Sequence, residues 1–147
     1  MTSKVGQIIA AFKTEIAAVT TGYTESKYVY DFTANNNKTS KKIYAVRPAE
    51  SADSIGANRE ITLDQIIEVL LSDVFANKGD TDAALQAVIE AINVDIDAIN
   101  VRLFQRRLNL SWVLVISSID ISAPLIDNNN NNVTLTAKYT VKYKMEL

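Results

Sequence analysis

Apolar positions recur at two spacings along this chain, and the changes of spacing divide it into elements. Val5, Ile8, Ile9, Phe12, Ile16 and Val19 fall three and four apart, the period of one helix face. Ser3 stands at an N-cap position and Gly22 just past the end, so the spacing predicts an amphipathic helix of about four turns. "KYVYDF" then sets Tyr28, Tyr30 and Phe32 on one face of an extended run. "TANNNKTSK" follows as a polar loop, and "KIYAVRP" resumes with β-branched and aromatic residues; together they read as a β-hairpin. Pro48 is expected to end its second strand, because it has no N–H to give to a ladder. Ala49–Asn58, "AESADSIGAN", shows no periodicity and is expected to be a loop, long for a compact domain.

"REITLDQIIEVLLSDVF" supports two patterns. Thr62 and Gln65 have capping-box spacing, and Ile66, Val69 and Leu70 could line a helix. Ile61, Leu63, Ile67, Val69 and Leu71 equally share one face of a strand, so local pattern leaves both open. "GDTDAALQAVIEAI" is helical, with Leu85, Val88, Ile89 and Ile92 as its stripe and Asp80 or Thr81 as its cap. "NVDIDAINVRLFQRRL" continues with Ile96, Ile99 and Leu103 after a break expected near Asn93, which makes a helix pair. Asp95 and Asp97 then read as charges at a helix start, and the arginines suit the negative end of the helix dipole.

"SWVLVISSIDIS" is a largely apolar strand, expected to be buried on both faces at its start and to bulge near Ser117–Ser118. The chain closes with "VTLTAKYTVKYKMEL". Val133, Leu135, Ala137, Tyr139, Val141, Tyr143 and Met145 alternate with Thr134, Thr136, Lys138, Thr140, Lys142 and Lys144. One face packs, the other meets water, and a slip of one residue would expose the whole apolar set. The last two strands are expected to pair as a hairpin whose tip is the run of five asparagines, a residue that tolerates left-handed backbone. These elements amount to an α+β fold. A mixed, mainly antiparallel sheet of about five strands packs on an N-terminal helix and a central helix pair, with residues 1–147 as one domain.

Composition narrows function mostly by exclusion. At 147 residues and formal net charge −2, the chain has no basic excess to attract nucleic acid over its whole surface. It contains no cysteine, so disulfides and thiolate metal sites are excluded. It contains no histidine either, which removes the commonest general base and the Ser-His-Asp arrangement. Its four glycines are isolated, so no phosphate loop exists. The N-terminus lacks signal-peptide character and no stretch reaches a membrane-spanning length, so a soluble, intracellular protein is expected and Asn37, Asn109 and Asn132 are chance glycosylation triplets. Asp73, Asp80 and Asp82 lack the alternate spacing of a calcium loop and read as turn and cap residues. Lys138, Lys142 and Lys144 keep a strand face soluble, and Tyr139 and Tyr143 lie opposite them, unlike a stacking groove for bases. Arg102, Arg106 and Arg107 form the only dense basic cluster: a solvated helix end, or a salt bridge to a neighbouring subunit. No catalytic residue, cofactor site or metal site is assigned.

Three phrases carry a resemblance: Thr62 to Phe75 ("TLDQIIEVLLSDVF"), Val113 to Pro124 ("VLVISSIDISAP") and Tyr139 to Tyr143 ("YTVKY"). From about Ile43 to the C-terminus the chain resembles tail terminator, or tail completion, proteins of tailed bacteriophages; the first helix fits by position. The family often has an aromatic where this chain has Ile66 or Ile67. The resemblance implies a strand at Ile61–Val74. It implies a non-enzymatic virion subunit that forms a ring, commonly of six copies, capping the tail tube and facing the neck or head connector. Expected partners are further copies of itself, the tail tube protein, the neck or head-connector protein and the tail sheath of a contractile tail. The resemblance also implies that DNA passes through the lumen without specific binding and that no membrane is involved. The expected location is the virion tail end or neck, with assembly in the host cytoplasm. Candidate contact residues are Glu50, Asp53, Ser54, Ile55, Asn58 and Arg59 in the polar stretch, Arg102 and Arg106 on the helix, and Asn129 and Asn130 at the tip. The alternatives are a head-closure or tail-tube subunit, a carboxylate-dependent hydrolase, or a small regulatory binding module.

Overall fold

The alternating C-terminal segment forms the strand around which the sheet is built. A computed structural model describes residues 3–19, 22–27, 29–30, 32, 42–55, 61–75, 81–127 and 131–145, with backbone alone for 50–55, 81, 106–107 and 118–119. The elements run α1 (Lys4–Val19), β1 (Thr24–Glu25), β2 (Ile43–Ile55), β3 (Ile61–Val74), α2 (Thr81–Arg106), β4 (Val113–Ile121), β5 (Leu125–Asp127) and β6 (Asn132–Met145). The sheet order is β1-β2-β3-β6-β4, with β5 beside β6. All pairings are antiparallel except β1 with β2, so the described residues make an α+β fold with a mixed, mainly antiparallel sheet. Six strands fall among the described residues, in keeping with the expected sheet of about five.

β3 and β6 pair without interruption from Ile61 opposite Met145 to Val74 opposite Asn132. Burial follows the alternation: Val133, Leu135, Ala137, Tyr139, Val141 and Tyr143 are buried beneath the helices. Ile8, Phe12 and Ile16 of α1 and Ile92, Ile96, Ile99 and Leu103 of α2 complete that core. Each fully buried side chain of this size contributes about 1.5–3 kcal/mol. The Phe12 ring meets that of Tyr139 at 5.6 Å between centroids, and the Tyr139 hydroxyl donates to Asn100 Oδ1, so the buried phenol is not left unpaired. The Ser3 hydroxyl caps α1, accepting from the Gly6 N–H at 3.0 Å.

Several expectations are corrected. The helix pair is one helix, because Ile92, Ile96, Ile99 and Leu103 stay in phase on the core side across Asn93 and give the chain no reason to break. Asp95 and Asp97 therefore sit mid-helix. The "KYVYDF" strand is absent among the described residues: Tyr30 is exposed and Phe32 is buried with Ile43, Ala45 and Leu70. The outer side of β2 is met instead by Thr24–Glu25, in parallel. Phe32 thus seals a small apolar cluster on the face away from the helices, so that face is not wholly solvated. Tyr28, Asp31 and residues 33–41 lie outside the described residues.

β2 does not stop at Pro48. It continues to Ile55 through a register shift between Pro48 and Ser51, so most of the expected loop Ala49–Asn58 is strand. Pro48 still pairs with Ile67 ahead of the shift and shares the phase of Lys42 and Tyr44, whose carbonyls face β1, so its missing N–H faces away from β3. The Gln65 side chain donates from Nε2 to the Ala49 carbonyl at 3.2 Å, satisfying an acceptor inside the bulge. Gln65 therefore serves this irregularity and not a helix cap, and Ile61–Val74 is a strand.

β4 shifts register after Ser118, within a residue of the expected bulge, and again between Val113 and Val115. Its start is not buried on both faces, since β4 lies at the sheet edge and Val115 is exposed. Between α2 and β4 the chain reverses through Leu108 and Asn109, at φ 60° and 55°. A left-handed leucine costs about 1–2 kcal/mol, offset here by burial of its side chain. At the other end of β6, β5 pairs back on Asn132–Thr134 and Asn131 adopts φ 51°, the left-handed turn expected of the asparagine run; Asn129 and Asn130 lie outside the described residues.

Phe12→Ala removes the ring that joins α1 to β6 and should lower unfolding free energy by about 3–5 kcal/mol, read from urea denaturation followed by circular dichroism.

Candidate functional site

The sheet face away from the helices carries charge in rows set by strand register. Arg47, Glu68, Lys138 and Asp120 stand directly opposite one another across β2, β3, β6 and β4, alternating in sign. Arg47 Nε donates to Glu68 Oε2 at 2.7 Å, and its Nη1 donates to the Val29 carbonyl at 3.3 Å. Lys138 Nζ lies 3.7 Å from Glu68 Oε1. A second pair joins Lys142 Nζ to Asp64 Oδ1 at 3.9 Å; that oxygen is shielded from solvent and accepts no hydrogen bond among the described residues, so the contact is one of charge alone. Asp120 is exposed at the edge. Half-exposed pairs of this kind contribute about 0.2–1 kcal/mol each and chiefly fix which strand lies opposite which.

Sequence reasoning placed the lysines on a solvent face and missed their acidic partners, Asp64 and Glu68, which stand four apart on the same face of β3. Tyr139 and Tyr143 are buried under the helices and cannot stack on bases from the lysine face. Among the described residues, no group of three or more acidic side chains is close enough to hold a metal ion, and no helix is long and apolar enough to cross a membrane.

The candidate contact residues do not form one patch. Glu50, Asp53, Ser54 and Ile55 lie on the far half of β2, at the end of the sheet where Ile61 meets Met145. Asn58 and Arg59 follow outside the described residues. The asparagine tip is at the opposite end of β6, across fourteen residues, or roughly 45 Å. Arg106 ends α2 in the helix layer. Arg102 is committed within the chain: its Nε donates to Glu15 Oε2 of α1, and Glu15 is buried.

That pair ties the two helices together. Tyr23 does the same from the loop, its hydroxyl donating to Asp95 Oδ2 at 2.8 Å. Burial, then this hydrogen bond to a carboxylate, raises the Tyr23 phenol above the ordinary tyrosine range. Burial also raises Tyr139, with Asp97 adding to it, and raises Tyr44, with Glu25 adding to it. Elsewhere α2 exposes Val94, Val101 and Phe104, and the β4–β5 flank exposes Val115, Ile121, Leu125 and Ile126. No protein-family model matches the chain, and no match is found among curated proteins.

Arg102→Ala leaves Glu15 buried without its cation. Because the Arg102 side chain is 30 % exposed, the expected cost is about 2 kcal/mol, below the roughly 3–5 of a fully buried pair, measured by chemical denaturation. A second measurement concerns alkali. The raised phenols stabilise the fold fully below the unfolded tyrosine value of about 10, and that contribution fades as pH rises through their folded values. Absorbance titration should show Tyr23, Tyr44 and Tyr139 ionising above the unfolded tyrosine value, with the melting temperature falling as they do.

Proposed function

We propose that this chain is a structural ring subunit of a phage tail, the terminator that closes the tail tube and offers a surface to the neck or head connector. The observation that carries the reading is the conformation of Ile61–Val74. Local spacing supported helix and strand equally; the family resemblance implied strand, and the segment is a strand in the centre of the sheet. The other two phrases that carry the resemblance fall on β4 and β6, the strands that follow it in the same sheet.

Such a role asks for shape and contact rather than bond chemistry, which suits a chain without histidine or cysteine. The sheet presents strand ends and two edges that are largely open among the described residues, surfaces through which copies can meet. A ring that surrounds DNA works best without strong attraction for it. The formal charge of −2 and the pairing of lysines with carboxylates on the sheet face both favour that.

Light scattering on the purified protein, and electron microscopy of it mixed with tail tubes, test the proposal. A closed ring of about six copies, one per tube end, is the expected result, since ring subunits associate head to tail until the rotation closes. Long polymers would instead favour a tube subunit. A strict monomer that never binds tube ends or neck components would overturn the reading.

A further inference from the structure

The two edges of the sheet are unlike. No strand among the described residues pairs with the outer side of β4, and β1 covers β2 only at Ile43 and Tyr44. β2 carries Pro48 and a bulge, leaving Ser51–Ile55 as its regular open stretch. β4 has neither proline nor lysine to guard its edge. Its regular stretch, Val115–Ser118, lies between two register shifts and is close to Ser51–Ile55 in length. Traced through the register, Val115 stands level with Ala52 by way of Lys142 and Asp64. Asp120 stands level with Arg47 by way of Lys138 and Glu68. Each neighbour along β2, β3, β6 and β4 is antiparallel, so β4 of one copy set beside β2 of another is antiparallel again.

We infer that copies join by adding the β4 edge of one chain to the outer edge of β2 in the next. This rests on the ring reading above and names its interface. Charge selects a second copy as the occupant. Asp120 is exposed and has no ion pair among the described residues, while the other end of its row is Arg47, whose side chain is 25 % exposed. Joining unlike edges continues the alternation of sign, whereas joining β4 to β4 supplies that row with no cation. Size agrees: Val115, 53 % exposed, would lie against Ala52 on a strand reading Ser-Ala-Asp-Ser, which admits close approach. Because the two edges are different surfaces, the contact is heterologous and is not satisfied by a pair of chains. Asp53, Ser54 and Ile55, expected as contact residues, lie on this edge and would take part through backbone pairing.

Cysteine pairs test it cleanly, since the chain has no cysteine of its own. Within one chain, positions 52 and 115 are three strand spacings apart, about 14 Å, too far for a disulfide. On oxidation, the Ala52→Cys, Val115→Cys double variant should give a ladder of chains linked to one another, ending at the size of the ring. Val115→Lys, at a half-exposed position, should keep the melting temperature and lose the ring mass in light scattering. A ring that survives Val115→Lys and yields no cross-links overturns the inference and leaves the ring reading standing. Equal cross-linking by Val115→Cys alone also overturns it, because β4 then meets β4. Cross-linked chains that grow without closing support the edge contact and overturn the terminator reading instead. A wild-type chain that stays monomeric even with tail tubes overturns both.

Discussion

The unbroken pairing of β3 with β6 is the constraint on which the rest of the structure depends. Fourteen residues on each strand meet without a bulge, and both strands alternate in the same phase. The helices can then pack on one continuous apolar face, while the opposite face acquires rows of Arg, Glu, Lys and Asp. A shift of one residue would turn Tyr139 and Val141 out to solvent and drive Lys138 and Lys142 under α1 and α2. Hydrophobic burial and charge pairing therefore select the same register, one from each side of the sheet.

The helix layer is held by fewer and more specific contacts. Phe12 on Tyr139 and the Glu15–Arg102 pair fix α1 against the sheet and against α2. The same layer reaches beyond the core helices, where Lys4 Nζ sits 4.2 Å from the Trp112 ring and Trp112 meets Tyr143 edge-on. Cation, indole and phenol thus connect the start of α1 to the end of β6. The left-handed Leu108 makes the return from α2 to β4 sharp enough to bring Trp112 there.

The irregularities of the sheet fall on β2 and β4 and spare the central pair. Bulges are costly where both neighbours need continuous hydrogen bonds, and cheaper at the rim, where one side is free. On β2 the irregularity is stabilised by Gln65, which supplies a donor where the ladder does not. The result is a molecule with a regular centre and two edges of different character.

Period-two and period-three-to-four patterns determined a good deal by themselves. The first helix with its Ser3 cap, the terminal strand with its buried face, the bulge near Ser117–Ser118 and the left-handed turn in the asparagine run all depend on neighbours in sequence, so they can be read there. Tertiary structure decided the rest. Whether Thr62 and Gln65 cap a helix or serve a strand depends on Ala49, whose carbonyl lies across the sheet. Whether Pro48 ends β2 depends on whether a neighbour needs its N–H, and whether Phe32 follows Tyr30 onto a strand depends on the cluster it can fill with Leu70. Arg102 likewise could not reveal its partner, because Glu15 is distant along the chain and the two meet only once both helices lie on the sheet. Spacing records what a residue does for its own segment; which distant group satisfies it is settled only by packing.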